Sequence, residues 1–161
     1  MASERKIKMD KRLYIAYGSN LNVEQMTYRC PTAKVYGKGI LKGYRLLFKG
    51  RPDNAYLTIE AKADGEVPVV VWDIKPSDEI SLDRYEGYPS FYYKEDIPVE
   101  LETGEVVEAM VYIMTNKIKD RINLNLPSEY YLNAVSEGYE EFGFDLKYLE
   151  EAIELSKNKR N

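Results

Sequence analysis

The sequence predicts an α+β domain: a small mixed, mainly antiparallel, barrel-like β-sheet with helices packed against it. Strand-like segments rich in Val, Ile and Tyr recur between residues 13 and 114, and Gly, Asp or Asn separates them. The stretch Leu101-Glu102-Thr103-Gly104-Glu105 is short enough to demand an antiparallel hairpin. Helical patterns are fewer and lie between strands or at the end, as in α+β folds, and closing the sheet would protect its edges.

The expected strands are Leu13–Tyr17, Ala33–Tyr36, Tyr44–Lys49, Tyr56–Ala61, Pro68–Ile74, Phe91–Leu101 and Val106–Met114. A first helix, Val23 to Arg29, is capped by Asn22 and stopped by Pro31. A second follows Pro76-Ser77, with Asp78 and Glu79 in its first turn to suit the helix dipole, and ends at Gly87. A third begins near Pro127-Ser128 and lines up Leu132, Val135, Tyr139 and Phe142 on a face that should pack on the sheet. A fourth runs from Leu146 to about Ser156 and carries Leu149 and Ile153. Trp72, within Val69-Val70-Val71-Trp72, reads as core. Residues 1–12 are charged without the apolar core of a signal peptide, so a loose lead-in, a single domain at 13–156 and a polar tail at 157–161 are expected.

Composition removes whole classes of function. With 161 residues the chain suits one compact domain. It has no histidine, which excludes a histidine triad, a histidine relay and the usual histidine zinc sites. Cys30 is the single cysteine, so no internal disulfide forms and a reducing, cytoplasmic setting is expected. As a nucleophile Cys30 would lack a histidine partner. The net charge of −4 comes from well-mixed acidic and basic residues, leaving no basic stripe for nucleic acid. No apolar run approaches the roughly 20 residues of a membrane span.

Two segments carry the chemistry. Tyr17-Gly18-Ser19-Asn20-Leu21 follows an apolar strand, and its glycine is expected to permit positive φ and close approach. Ser19 and Asn20 add side-chain donors to the turn's backbone N–H groups, which suits a carboxylate or a developing oxyanion. The same residues also read as a plain strand-to-helix turn in which Asn20 or Asn22 caps the helix. The second segment, Leu82-Asp83-Arg84-Tyr85-Glu86-Gly87, places Glu86 in the last turn of a helix, where the dipole disfavours an anion. Burial beside Tyr85, Tyr88 and Phe91 would raise its pKa toward that of a general base, whereas an isolated Glu is ordinarily a solvated surface residue. Asp83 and Glu79 are weaker candidates. Most of the fifteen tyrosines should be structural. Tyr92, from the cluster Tyr85, Tyr88, Tyr92 and Tyr93, and Tyr130, which has Ala134 and Gly138 on its helical face, are the candidate pocket tyrosines.

These segments, together with Tyr93-Lys94, Tyr112-Ile113-Met114-Thr115, Pro127-Ser128-Glu129-Tyr130 and Gly138, resemble the γ-glutamylcyclotransferase-like superfamily. That superfamily includes AIG2-like proteins and γ-glutamylamine cyclotransferases. The likeness runs in order over roughly residues 13–145. It implies a small mixed barrel, a γ-glutamyl group held by residues 17–21, and Glu86 as acid and base. The implied reaction releases 5-oxoproline and an amine or amino acid, with no cofactor or metal. Asn20-Leu21 argues against the glutathione-specific branch. A noncatalytic binding domain on the same fold, or an amide hydrolase in which Glu86 activates water, remains an alternative reading of the same residues.

Overall fold

The computed structural model describes residues 11–116 and 123–158. Strands β1 (Arg12–Ala16), β2 (Lys34–Arg51), β3 (Asn54–Ile74), β4 (Tyr92–Leu101) and β5 (Val106–Met114) form a closed barrel in the order β1-β3-β2-β4-β5. Four of its pairings are antiparallel, and the seam between β1 and β5, at Tyr14 opposite Met110, is parallel. The sheet is therefore mixed, and closure through the short β2–β4 and β1–β5 pairings shortens the edges open to a foreign strand.

Four of the expected strands are in fact two. Ala33–Tyr36 and Tyr44–Lys49 belong to β2, while Tyr56–Ala61 and Pro68–Ile74 belong to β3. The intervening glycines do not end the ladder. They lie in or beside register shifts between Val35 and Gly37 and between Lys42 and Tyr44, and Gly43 has φ 87°. The first shift absorbs one extra residue on β2, and at the second residues 62–65 of β3 lie without register partners opposite Gly43; such irregularities bend a strand, which a small barrel needs in order to close. Gly39 sits where β2 meets β4, and a Cβ there would lie 2.5 Å from the Glu100 carbonyl oxygen.

The helices α1 (Val23–Arg29), α2 (Pro76–Glu86), α3 (Glu129–Phe142) and α4 (Lys147–Asn158) follow their local signals. The Asn22 side chain accepts from the Gln25 N–H at 3.0 Å, and that of Ser128 from the Tyr131 N–H at 3.1 Å. Gly87 ends α2 in the left-handed conformation, φ 63° and ψ 36°. Val135 and Tyr139 of α3 enter the core, yet the backbone of α3 lies against the turn at residues 19–21. Trp72 is buried in the same hydrophobic core as Phe48, Leu57, Leu82 and Met110.

The expected lead-in ends sooner than residue 12. Arg12 is already in β1, and its Nε and a terminal nitrogen donate to the two Glu79 carboxylate oxygens at 2.9 and 3.0 Å. Residues 1–10 lie outside the described residues. At the other end Lys157 and Asn158 complete α4, and residues 159–161 again lie outside. Among the described residues no helix is long and apolar enough to cross a membrane.

Candidate active site

Strand β1 delivers Tyr17 and Gly18 to one end of the barrel, where Ser19–Leu21 form a single 3-10 turn. The Leu21 N–H donates to the Gly18 carbonyl and that of Asn22 to the Ser19 carbonyl, both at 3.0 Å. Those two N–H groups are spent on the turn itself. The N–H groups of Ser19 and Asn20 have no recorded acceptor among the described residues and remain for a ligand. Gly18 has φ −122°, not the positive value expected from sequence. Glycine serves here by its small size, since a Cβ would lie 3.1 Å from the Tyr131 hydroxyl and 3.7 Å from the Leu57 Cβ.

Leu21, an expected ligand contact, is instead an anchor. It is wholly buried and does not line the cavity. Gly138 of α3 packs directly on it, so that a Cβ on Gly138 would lie 2.6 Å from the Leu21 carbonyl carbon. The space beside Gly138 is thus filled by the turn, and Tyr130 and Ala134 line a different surface pocket with Asn22, Arg29 and Glu137.

The opposite wall is the end of α2. Arg84, Tyr85, Glu86 and Gly87 line a cavity of about 300 Å³ together with Tyr17, Gly18, Ser19, Asn20 and Tyr92. Glu86 as a whole is only half-buried, but its carboxyl is enclosed, and burial pushes its pKa up to about 8, with Arg29 opposing. Among the described residues the Glu86 carboxylate has no hydrogen-bond partner. The neighbouring acids are occupied. Glu79 is held down to about 2, chiefly by the Arg12 hydrogen bond, and Asp83 accepts from the Tyr112 hydroxyl at 2.6 Å and pairs with Lys94 at 3.0 Å.

The cavity's hydroxyls divide by what their own hydrogens do. Tyr17 donates to the Tyr112 carbonyl at 2.6 Å and Tyr92 to the Leu57 carbonyl at 2.9 Å, so both are tied to the frame. The Tyr14 hydroxyl accepts from Asn20 Nδ2 at 2.9 Å, and the Tyr131 hydroxyl accepts from the Leu57 N–H at 3.1 Å. Each keeps a hydrogen to donate, and each lines the cavity. Burial raises both phenol pKa values, so they stay protonated. The side chain of Asn20 is consumed between Tyr14 and Arg29, and Ser19 Oγ is 2.8 Å from the Tyr85 hydroxyl. Arg29 also lies 3.5 Å above the Tyr85 ring. This lattice holds the loop against α2.

Tyr130 is misassigned by the sequence reading. It is 79% exposed and outside this cavity, and Tyr131 takes its place. One residue is a 100° rotation on a helix, and Tyr131, Val135 and Tyr139 share the buried stripe at i, i+4 and i+8. That stripe is the signal that would have selected Tyr131. Tyr14, Tyr85 and Arg29 were also missed as site residues, and only the arrangement of strand, turn and helices unites them. Cys30 is buried, its thiol pushed up to about 11 by burial, and it lines no part of the cavity, which removes it as a nucleophile.

Residues 14–133 match the family model described as γ-glutamyl cyclotransferase, AIG2-like. The γ-glutamylcyclotransferases of Bos taurus and Homo sapiens are each 30% identical over 154 residues, spanning 91% of this chain and 79% of theirs. A solved γ-glutamyl cyclotransferase superposes with a TM-score of 0.75 at 30% identity, covering 88% of this chain and 86% of its own. With a closed mixed barrel, a donor-rich turn after its first strand and a glutamate whose enclosed carboxyl has no hydrogen-bond partner among the described residues and faces the same cavity, the chain belongs to the γ-glutamyl cyclotransferase, AIG2-like family and is a cyclotransferase-type enzyme.

Proposed function

We propose that the protein converts a small γ-glutamyl compound into 5-oxoproline and a free amine or amino acid, with Glu86 as the proton carrier. The observation that carries this reading is an enclosed carboxyl, without a hydrogen-bond partner and with a pKa near 8, in the same cavity as the free N–H groups of the 19–20 turn. An α-ammonium titrates at roughly 8, so proton transfer between it and Glu86 is close to thermoneutral. The substrate's cation would first draw Glu86 into its carboxylate form. Glu86 then takes one ammonium proton, the freed amine attacks the substrate's own γ-carbonyl, and the ring closes as a tetrahedral oxyanion. N–H groups of the turn and the hydrogens of Tyr14 and Tyr131 are the available donors for that oxyanion or for the α-carboxylate. Glu86 returns its proton to the departing nitrogen, the C–N bond breaks and the amine leaves, while the ring nitrogen gives up its second proton to the regenerated Glu86 carboxylate, leaving the lactam with one N–H. Ring closure supplies its own proximity, so positioning and one proton carrier suffice.

The test is a panel of γ-glutamyl compounds assayed for 5-oxoproline with the purified protein and Glu86→Gln. Release of 5-oxoproline that depends on Glu86 supports the reading. Free glutamate would indicate a hydrolase, and retention without turnover a binding domain. The buried lone cysteine suits a reducing, cytoplasmic setting for this activity.

A further inference from the structure

Tyr14 is buried against the cavity, and its hydroxyl has a single partner among the described residues, the Asn20 side chain. A phenol beside a primary amide can accept from the amide nitrogen or donate to the amide oxygen, and only by accepting does it keep its hydrogen for a ligand. The choice is made one residue farther out. Arg29 donates through Nη1 to Asn20 Oδ1, so the amide oxygen faces Arg29 and Nδ2 faces the Tyr14 hydroxyl at 2.9 Å. A guanidinium has donors and no acceptor, so it cannot bond the other end of the amide. The Ser19–Tyr85 pair has no donor-only group on it, and either hydroxyl there can be the donor.

Arg29 is itself held in place. Its Nη2 donates to Gln25 Oε1 at 2.8 Å, and its Cζ lies 3.5 Å above the Tyr85 ring. Beyond it in the chain, the Thr32 hydroxyl donates to the Asp78 carboxylate, with its oxygens at 2.7 and 2.8 Å, which pins the end of α1 to the start of α2. Arg29 lines an outer groove with Asn22 and Glu137 and no part of the cavity, so it reaches a ligand through other side chains. Hydrogen bonds in a chain polarise one another, and a cation at the head makes the last hydroxyl a better donor. Burial raises the Tyr14 phenol and the bond from Asn20 opposes that rise, the sign expected of a strengthened donor.

Resting on the function proposed above, we infer that Arg29 is a positioning residue: as a donor-only head it fixes the direction of the chain from Arg29 through Asn20 to Tyr14, so that Tyr14 turns its hydrogen to an oxygen of the bound substrate. NOE spectra of the ligand-free protein read the direction itself. Cross-peaks from the Asn20 Nδ2 hydrogens to the Tyr14 ring should be strong in wild type and in Arg29→Lys, which also only donates, and should be lost in Arg29→Met. Rates read its use, taken above the acid limb, where the charge that Arg29 presents to Glu86 no longer alters its ionisation. Tyr14→Phe and Arg29→Met should each lower kcat/KM for 5-oxoproline release by about tenfold, and the double variant by about the same factor and not by a hundredfold. Arg29→Lys should keep most of the rate. Asn20→Asp is the second variant should Arg29→Met fail to fold. Its carboxylate keeps the bond to Arg29 but takes the Tyr14 hydrogen, so it should lose about as much as Tyr14→Phe, with no further loss when the two are combined. Unchanged cross-peaks in Arg29→Met, or losses that multiply in the double variants, overturn the inference. If wild type releases no 5-oxoproline from any γ-glutamyl compound, the proposed function falls, and the cross-peaks uphold or overturn the direction of the chain by themselves.

Discussion

Glu86 is suited to the proposed proton transfer because its charge is poorly solvated. Its folded pKa of about 8 exceeds the ordinary 4.5, so the folded state holds the proton more tightly than the unfolded chain does. That difference adds no penalty to folding below about pH 4.5. The penalty grows as pH rises through this window and levels off above 8. Glu86→Gln should therefore be stabilised relative to wild type by roughly 1–3 kcal/mol at pH 9 and by almost nothing at pH 4, after discounting ~1.4 kcal/mol per pKa unit for the cavity's opening to solvent. Denaturant titrations at the two pH values measure this, and a pH-independent difference would refute the buried-carboxyl argument. The same variant should lose about two to four orders of magnitude in turnover. In wild type kcat/KM should rise with pH through an acid limb near 8. Tyr131→Phe removes the free hydrogen and the acceptor for the Leu57 N–H, and about tenfold loss in kcat/KM is expected. Tyr130→Phe should change nothing, and steady-state rates of the two side by side decide between the adjacent tyrosines.

Among the elements, the contact between α3 and the 19–21 turn decides whether the N–H groups proposed to hold the substrate keep their place. Gly138 permits it, since any Cβ would intrude on the Leu21 backbone at 2.6 Å. Gly138→Ala should gain slightly in helix propensity and lose more to overpacking, a net cost of about 1–3 kcal/mol. Because the displaced atoms belong to the ligand turn, KM should rise more than kcat falls. A variant with normal stability and normal KM would show that α3 has room to move there.

Across the whole molecule, one ion network ties the barrel to the helix that carries Glu86. Glu79 of α2 bonds Arg12 of β1 at 2.9 Å and Lys94 of β4 at 2.8 Å, while Asp83 links Lys94 to Tyr112 of β5. Both Glu79 and Lys94 side chains are about one-fifth exposed, which limits screening. The Glu79 pKa is depressed to about 2, so its contribution is complete above about pH 4.5 and is lost as pH falls toward 2. Glu79→Gln should lower stability by roughly 1–3 kcal/mol at pH 7, with the difference from wild type vanishing near pH 2. Thermal melts across that range provide the measurement. A difference that persists unchanged to pH 2 would mean that packing, not charge, accounts for the loss.

The amino-acid sequence by itself determined the helices and the two chemical segments, because caps and stops act within a few residues. Asn22 and Pro31 frame α1, Pro76 and Gly87 frame α2, and Ser128 starts α3, each through a bond or dihedral that needs no distant partner. Turn residues mark a break in a strand only locally, so they could not reveal that β2 and β3 run on through their bulges. Pairing with each other on both sides of these irregularities decides that. Gly18 has the same lesson at smaller scale, since its missing Cβ answers to Tyr131, more than a hundred residues away in the chain. The choice of Tyr131 over Tyr130, and the use of Asn20 to tie Tyr14 to Arg29, belong to tertiary structure too. So does the basicity of Glu86. A glutamate becomes a base near neutrality only when groups from β1, the turn, β3 and α3 close around it and exclude water, and no local spacing encodes that enclosure.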